Sequence, residues 1–233
     1  MLDTLEHVLD AIPDDANHRL HHRRSTRPKT ESSMSKVVLF TSLTLDGVMQ
    51  APGRPDEDRR GGFEHGGWAT PYADSVMGSV AGESMATSGA LLLGRRTYED
   101  FFSVWPNRPK PNPFTDVLNN AQKYVASRTL KEPLPWSNST LLKGDPATAV
   151  ARLRDQLGKD LVILGSGELA QSLIRRNLVD TYVLLIHPLV LGTGRRLFRE
   201  DSPKIALRLV DTKTTTVGVV IATYHPAESP AAR

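Results

Sequence analysis

The chain has 233 residues, 39% hydrophobic and 24% charged, enough for one substantial core and ordinary for a globular domain in water. It holds no cysteine, which excludes disulfides, thiolate metal sites and cysteine nucleophiles. The formal net charge is +3, no apolar run reaches the length that spans a bilayer, and the acidic, polar N-terminus lacks the apolar stretch of a signal peptide, so a cytoplasmic location with no membrane partner is expected.

Residues 1–35 read as an extension. Leu2, Leu5, Val8, Leu9 and Ile12 have the spacing of one short amphipathic helix, which Pro13 ends. The stretch that follows carries His18-Arg19-Leu20-His21-His22-Arg23-Arg24, then Arg27 and Lys29. It has no interleaved aromatics and no apolar face, so it reads as a solvated tail rather than a nucleic-acid-binding arm. Met34 is the expected natural start, with a short docking helix on a flexible tether as the alternative. The domain proper is expected over 36–226, with a tail over 227–233.

From Lys36 the pattern alternates between strands and helices. Val37-Val38-Leu39-Phe40-Thr41 is apolar and β-branched and predicts a buried strand. Residues 51–67, rich in Gly, Pro and charge, predict a long loop, followed by a helix over about 72–87. Ala90-Leu91-Leu92-Leu93 predicts a strand closed by Gly94, with helix around Tyr98 to Phe102. A proline-rich loop over 106–113 leads to a short helix from Phe114 to Asn120. Strands are expected at 123–126 and 140–142. Asp145-Pro146 is a helix start, with Asp as the cap and Pro in the first position. A strand at 161–164 then ends in Gly165-Ser166-Gly167, ahead of a helix from Glu168 to about Arg176. Thr181 to His187 is a strand, and the runs 206–211 and 217–224 predict a terminal hairpin. The alternation implies an α/β fold: a mostly parallel sheet covered on both faces, with antiparallel strands at one edge.

Two strand-to-helix junctions carry glycine: Leu93-Gly94-Arg95-Arg96-Thr97 and Leu164-Gly165-Ser166-Gly167-Glu168-Leu169. Each offers free backbone N–H groups and the positive end of a helix dipole, which suits a phosphate. Arg95 and Arg96 add charge and Thr97 a hydroxyl. Ser127-Arg128, at the end of a strand, reads either as a surface arginine or as a pair that holds a ribose 2′-phosphate, which would favour NADPH over NADH. Thr44-Leu45-Asp46-Gly47 ends the first strand; Asp-Gly signals a turn, and an Asp there can also orient a substrate or relay a proton. Trp68 can stack on a planar ring or anchor the preceding loop. Gly192-Thr193-Gly194, before Arg195 and Arg196, reads as a bend. The seven histidines have no metal-ligand spacing, and no metal site is expected.

Taken in order, Thr41 to Gly47, Leu93 to Glu99, Leu164 to Leu169, Asn177-Leu178-Val179-Asp180 and His187 to Gly194 resemble the dihydrofolate-reductase-like family, nearest to the reductase domain of bacterial riboflavin biosynthesis. The resemblance covers about residues 36–225. It implies a three-layer αβα fold with a mixed sheet and an NADPH site. It implies further that Gly94, Arg95, Arg96 and Thr97 hold cofactor phosphates and that Ser127 and Arg128 lie near the adenosine ribose phosphate. Gly165, Ser166, Gly167, Glu168 and Leu169 would lie under the pyrophosphate. Ser42, Thr44 and Asp46 would lie beside nicotinamide and substrate, with Asp46 as the catalytic candidate and Trp68 as a second substrate contact. The loop 51–67 corresponds to one that closes over the nicotinamide. Asp74 and Glu83 do not match the pterin-binding carboxylate of dihydrofolate reductase. The expected activity is hydride transfer from NADPH to a C=N or C=O bond of a small heterocyclic or sugar-like substrate. A non-catalytic NADP(H)-binding protein of the same fold is the alternative, and a homodimer is possible.

Overall fold

The computed structural model describes residues 34–108 and 113–227. The expected N-terminal helix and basic tail fall outside these residues. Eight strands form a single sheet: β1 (Val37–Thr44), β2 (Ser88–Gly94), β3 (Gln122–Ala126), β4 (Ser139–Leu142), β5 (Asp160–Leu164), β6 (Thr181–His187), β7 (Leu207–Thr214) and β8 (Val220–Pro226). Five α-helices join them: α1 (Ser75–Thr87), α2 (Arg95–Val104), α3 (Pro113–Asn120), α4 (Pro146–Leu157) and α5 (Gly167–Ile174). The strand order is β4-β3-β2-β5-β1-β6-β8-β7. Strands β1 to β6 pair in parallel, and β8 and β7 add antiparallel pairs at one edge.

The central strands β1 and β5 are buried at nearly every position because both faces are covered, and successive side chains go to opposite layers. Phe40, Leu91, Leu93, Val162 and Leu164 pack on one side with Met77 of α1, Tyr98 and Phe101 of α2 and Leu118 of α3. Their neighbours Leu39, Leu92, Leu161 and Ile163 pack on the other with Val150 of α4 and Leu169, Leu173 and Ile174 of α5. A one-residue slip in any of these strands would exchange the two layers.

Local chemistry sets the helix ends. Asp145 caps α4 by accepting from the Thr148 amide at 2.9 Å, Pro146 takes the first turn, and Gly158 closes it at φ 61°. Asp74 does the same for α1, accepting from the Val76 amide at 2.7 Å, and also holds the Thr216 amide and hydroxyl of the β7–β8 hairpin. Burial alone would raise the Asp74 carboxyl, but the Thr216 hydroxyl and the amides of Val76, Thr216 and Met77 hold it below its ordinary value. The helix begins at Ser75, after a 3₁₀ turn at Thr70–Tyr72, rather than at residue 72.

The topology creates the crevice. From β2 the chain passes through α2 on one face and moves outward to β3; from β5 it passes through α5 on the opposite face and moves to β6. Adjacent strands β2 and β5 therefore send their following helices apart, and such a switch point opens a cleft at the carboxyl ends of the strands.

Candidate phosphate-binding cleft

The two glycine junctions meet at this switch point. The Gly94 amide donates to Ser166 Oγ at 2.9 Å, and the Ser166 amide donates to Thr97 Oγ1 at 3.1 Å. Ser166 Oγ in turn donates to the Leu164 carbonyl at 3.1 Å. Ser166 is the residue before α5, in left-handed backbone at φ 52° next to Gly165 at φ 55°, and its hydroxyl makes no capping bond to that helix. Gly94 before α2 likewise supplies no side-chain cap. A serine in this place ordinarily caps; here it bolts the two turns together and leaves the first amides of both helices to another acceptor. Gly167 lets Met49 approach closely, because a Cβ there would stand 2.8 Å from Met49 Sδ and the methionine side chain would have to shift.

Two cavities run together over these turns. The larger, of about 940 Å³, is walled by Thr41, Gln50, Glu57, Arg60, Arg96, Thr97, Gly165 to Glu168, Gln171 and Arg195, among others. The smaller, of about 480 Å³, continues past Arg96, Thr97 and Ser166 to Leu169 towards Ser127, Arg128, Gly144 and Arg175, with Gly94 and Arg95 also on its wall. Ser127 Oγ accepts from the amides of Thr129 and Leu130 at 3.1 and 2.9 Å, which shapes the turn that carries Arg128. Of the residues expected at the cofactor, Gly94, Arg95, Arg96, Thr97, Ser127, Arg128 and Gly165 to Leu169 thus border one continuous cleft.

Four others stand elsewhere. Ser42 is buried in β1, and the wall takes Thr41 from the alternate position of the strand. Thr44 Oγ1 donates to Asp46 at 2.6 Å and accepts from the Val48 amide at 2.9 Å, so it belongs to the turn. The Asp46 carboxylate also accepts from the amides of Leu191 and Gly192 at 3.2 and 2.9 Å and from the Arg196 guanidinium at 3.1 Å. The Thr44 hydroxyl, followed by those amides, outweighs burial and brings the Asp46 pKa down to about 2. A carboxylate this fully engaged holds a turn; it has no proton to pass at neutral pH. Trp68 is buried, donates from its indole N–H to the Gln50 carbonyl at 2.7 Å, and meets the His187 ring edge-on at 5.1 Å. It anchors the loop after β1 rather than facing the cleft.

The residues missed by sequence reasoning come mostly from that loop and from the segment after β6. Gln50 is a buried strut: its amide donates to the carbonyls of Asp58 and Arg60 at 3.1 and 2.9 Å, and its oxygen accepts from the Arg195 amide at 3.0 Å. It draws both segments to the cavity. Asp58 pairs with Arg60. Arg54 pairs with Asp100 of α2, tying the loop to that helix. Glu57 accepts from the amides of Gly53 and Arg54 at 2.7 and 3.2 Å. Burial raises its carboxyl above the ordinary value in spite of those bonds, and the neighbouring charge of Asp100 adds to the rise. Only the paired arginines of 59–60 and 195–196 hinted at this wall in the sequence.

His187, at the end of β6, lies under Trp68 and Tyr72, with ring centroids 5.1 and 5.5 Å away. Its Nδ1 stands 3.0 Å from the Leu185 carbonyl, while Nε2 has no partner among the described residues. Burial pushes its pKa down to about 4.

The donors suit a phosphorylated ligand: amides at two helix starts, arginines from several segments, and Ser127, Arg128 and Arg175 lining the second cavity. Among the described residues no helix is long and apolar enough to cross a membrane.

The comparisons agree with this architecture. The family model of the RibD C-terminal domain matches residues 35–221. YyaP of Bacillus subtilis (strain 168) is 32% identical over 194 residues, covering 82% of this chain and 94% of that protein. YwjB of the same organism is 25% identical over 181 residues, covering 76% and 91%. Among solved structures, a pyrimidine reductase-like protein from Corynebacterium diphtheriae has a TM-score of 0.58 at 12% identity, covering 97% of this chain and 99% of its own. A diaminohydroxyphosphoribosylaminopyrimidine deaminase/5-amino-6-(5-phosphoribosylamino)uracil reductase from Thermotoga maritima has a TM-score of 0.54 at 14% identity, covering 83% of this chain and 57% of its own. The mixed sheet, parallel through β6 with an antiparallel edge, is the architecture expected from the sequence, and the chain belongs to the RibD C-terminal domain family.

Proposed function

We propose that the protein is an NADPH-dependent reductase acting on a C=N or C=O bond of a small heterocyclic or sugar-like substrate. The observation that carries this reading is the pair of uncapped helix starts bolted together through Ser166 and Thr97 at the switch point of the sheet. When bound, a reduced nicotinamide supplies the hydride, and the protein's part is to bind, orient and exclude water.

In this reading the amides at the starts of α2 and α5, with Arg96 and Thr97, take the pyrophosphate. Ser127, Arg128 and Arg175 take the adenosine ribose and its 2′-phosphate. The larger cavity, between Thr41, Gln50 and Gln171, takes the nicotinamide and the substrate. Glu57 is the candidate proton donor on the wall: burial raises its carboxyl above the ordinary value, whereas Asp46 is held well below it. Two members of the same fold bear reductase names, which supports the reaction class.

The test is calorimetric titration with NADPH, NADH and NADP⁺, followed by assays of NADPH oxidation over a panel of pyrimidines, pterins and aldoses. Tight NADPH binding with turnover of at least one such compound is expected. Binding with no oxidation across the panel would favour a non-catalytic nucleotide-binding protein, and no binding would remove the reading altogether.

A further inference from the structure

Glu168 is the second residue of α5, and a carboxylate in the first turn of a helix is stabilised by the dipole. That accounts for its charge but not for the company it keeps. Its Oε1 accepts from Arg60 at 3.1 Å and from Arg195 at 3.1 Å, and lies 3.5 Å from Arg96. The three guanidinium groups come from three separate segments: the loop after β1, the start of α2 and the chain after β6. All four residues wall the main cavity.

The charges do not balance within this group. Asp58 pairs closely with Arg60 and its charge is felt by Arg195, which leaves three arginines against two carboxylates, and the single Glu168 oxygen they share at the cavity mouth is a poor match for them. Exposed ion pairs contribute little, whereas assembling like charges from three segments costs energy that only a stronger anion offsets. A pyrophosphate, with more charge and more acceptor oxygens, satisfies such a set better than a carboxylate does. The amides of α5 left uncapped by Ser166 lie on the same side of the cleft.

We propose that Glu168 is an internal counter-anion: in the protein by itself it holds the place of a ligand phosphate among Arg60, Arg96 and Arg195, and a dinucleotide must displace it to bind. The proposal rests on the dinucleotide reading above and adds a specificity device to it. A ligand with a single negative charge gains nothing by replacing Glu168, while a pyrophosphate gains the excess. The cleft thereby discriminates against nucleosides and monoanions at the expense of some affinity.

The experiment is calorimetry on wild type and E168Q with three ligands: NADPH, inorganic pyrophosphate and adenosine. The Glu168 side chain is 66% exposed, so the amide variant should fold; E168A gives the same comparison should the glutamine protein prove unstable. Removing the competing charge is expected to tighten NADPH and pyrophosphate by about five- to tenfold and to leave adenosine unchanged. If wild type binds NADPH and the variants bind it equally or more weakly, Glu168 merely positions the arginines and the proposal is overturned. If no form binds NADPH or pyrophosphate, the dinucleotide reading falls and takes this one with it, a result distinct from the second.

Discussion

Asp46 and Glu57 both lie between β1 and α1, and the fold treats them in opposite ways. Asp46 sits in a tight turn where a hydroxyl, two amides and a guanidinium converge on its carboxylate. Its negative charge is the organising centre that fastens the end of β1 to the segment after β6. Glu57 sits further along, on the wall of the larger cavity, with only backbone amides for partners and with its carboxyl raised by burial. A carboxyl group serves architecture when its acceptors are saturated and chemistry when a proton is left to move. On the turn side, pH and mutation should act on stability. On the cavity side they should act on turnover.

The largest effect is expected on the turn side, beneath Trp68. His187 has a folded-state pKa near 4 against an ordinary 6.5. Below pH 6.5 the unfolded chain takes up a proton that the folded one refuses, so stability falls as pH drops towards 4, by about 3 kcal/mol across the window. Denaturant melts between pH 4 and 7 should show this loss, and H187L should flatten it; a wild-type curve already flat over that range breaks the comparison on this side.

Next comes the cavity side. E57Q should cut turnover of NADPH by about a hundredfold while leaving the melting temperature nearly unchanged. Because a raised carboxyl must be protonated to donate, wild-type turnover should decline as pH rises through the Glu57 pKa, and E57Q should lose that limb. Unaltered kinetics in a well-folded variant would return Glu57 to a turn-forming role.

D46A should do the reverse, lowering stability by about 2 kcal/mol by stranding the Leu191 and Gly192 amides and Arg196. The smallest effect is also the sharpest test of the contrast itself. Carboxyl carbon-13 titration should place Asp46 near 2 and Glu57 above its ordinary 4.5. Coincident titrations would erase the distinction.

What the sequence made legible follows from where the information is local. Strand positions 37–40 and 161–164 are apolar throughout because both faces are covered, and Asp145-Pro146 marks a helix start. The two glycine junctions could be found because a strand, a glycine and a helix follow one another directly. That they touch depends on β5 inserting between β2 and β1, which no local pattern encodes. The cavity wall was least legible for the same reason. Gln50 reaches Asp58, Arg60 and Arg195 at once, and an ordinary glutamine after a strand carries no sign of it. Ser42 and Thr41 differ only in which face of the strand they take, and a strand buried on both faces does not announce which one meets a ligand. Asp46 showed the signature of a turn and of a relay together; only the count of its partners separates them.

The account stands on one dinucleotide lying across two neighbouring helix starts. Hydrogen–deuterium exchange with and without saturating NADPH reads this directly. Protection is predicted to rise together in 94–97 and 165–169, segments far apart in sequence, with a smaller increase at 127–130. Protection confined to one of the two junctions, or absent from both while NADPH is bound, would contradict it.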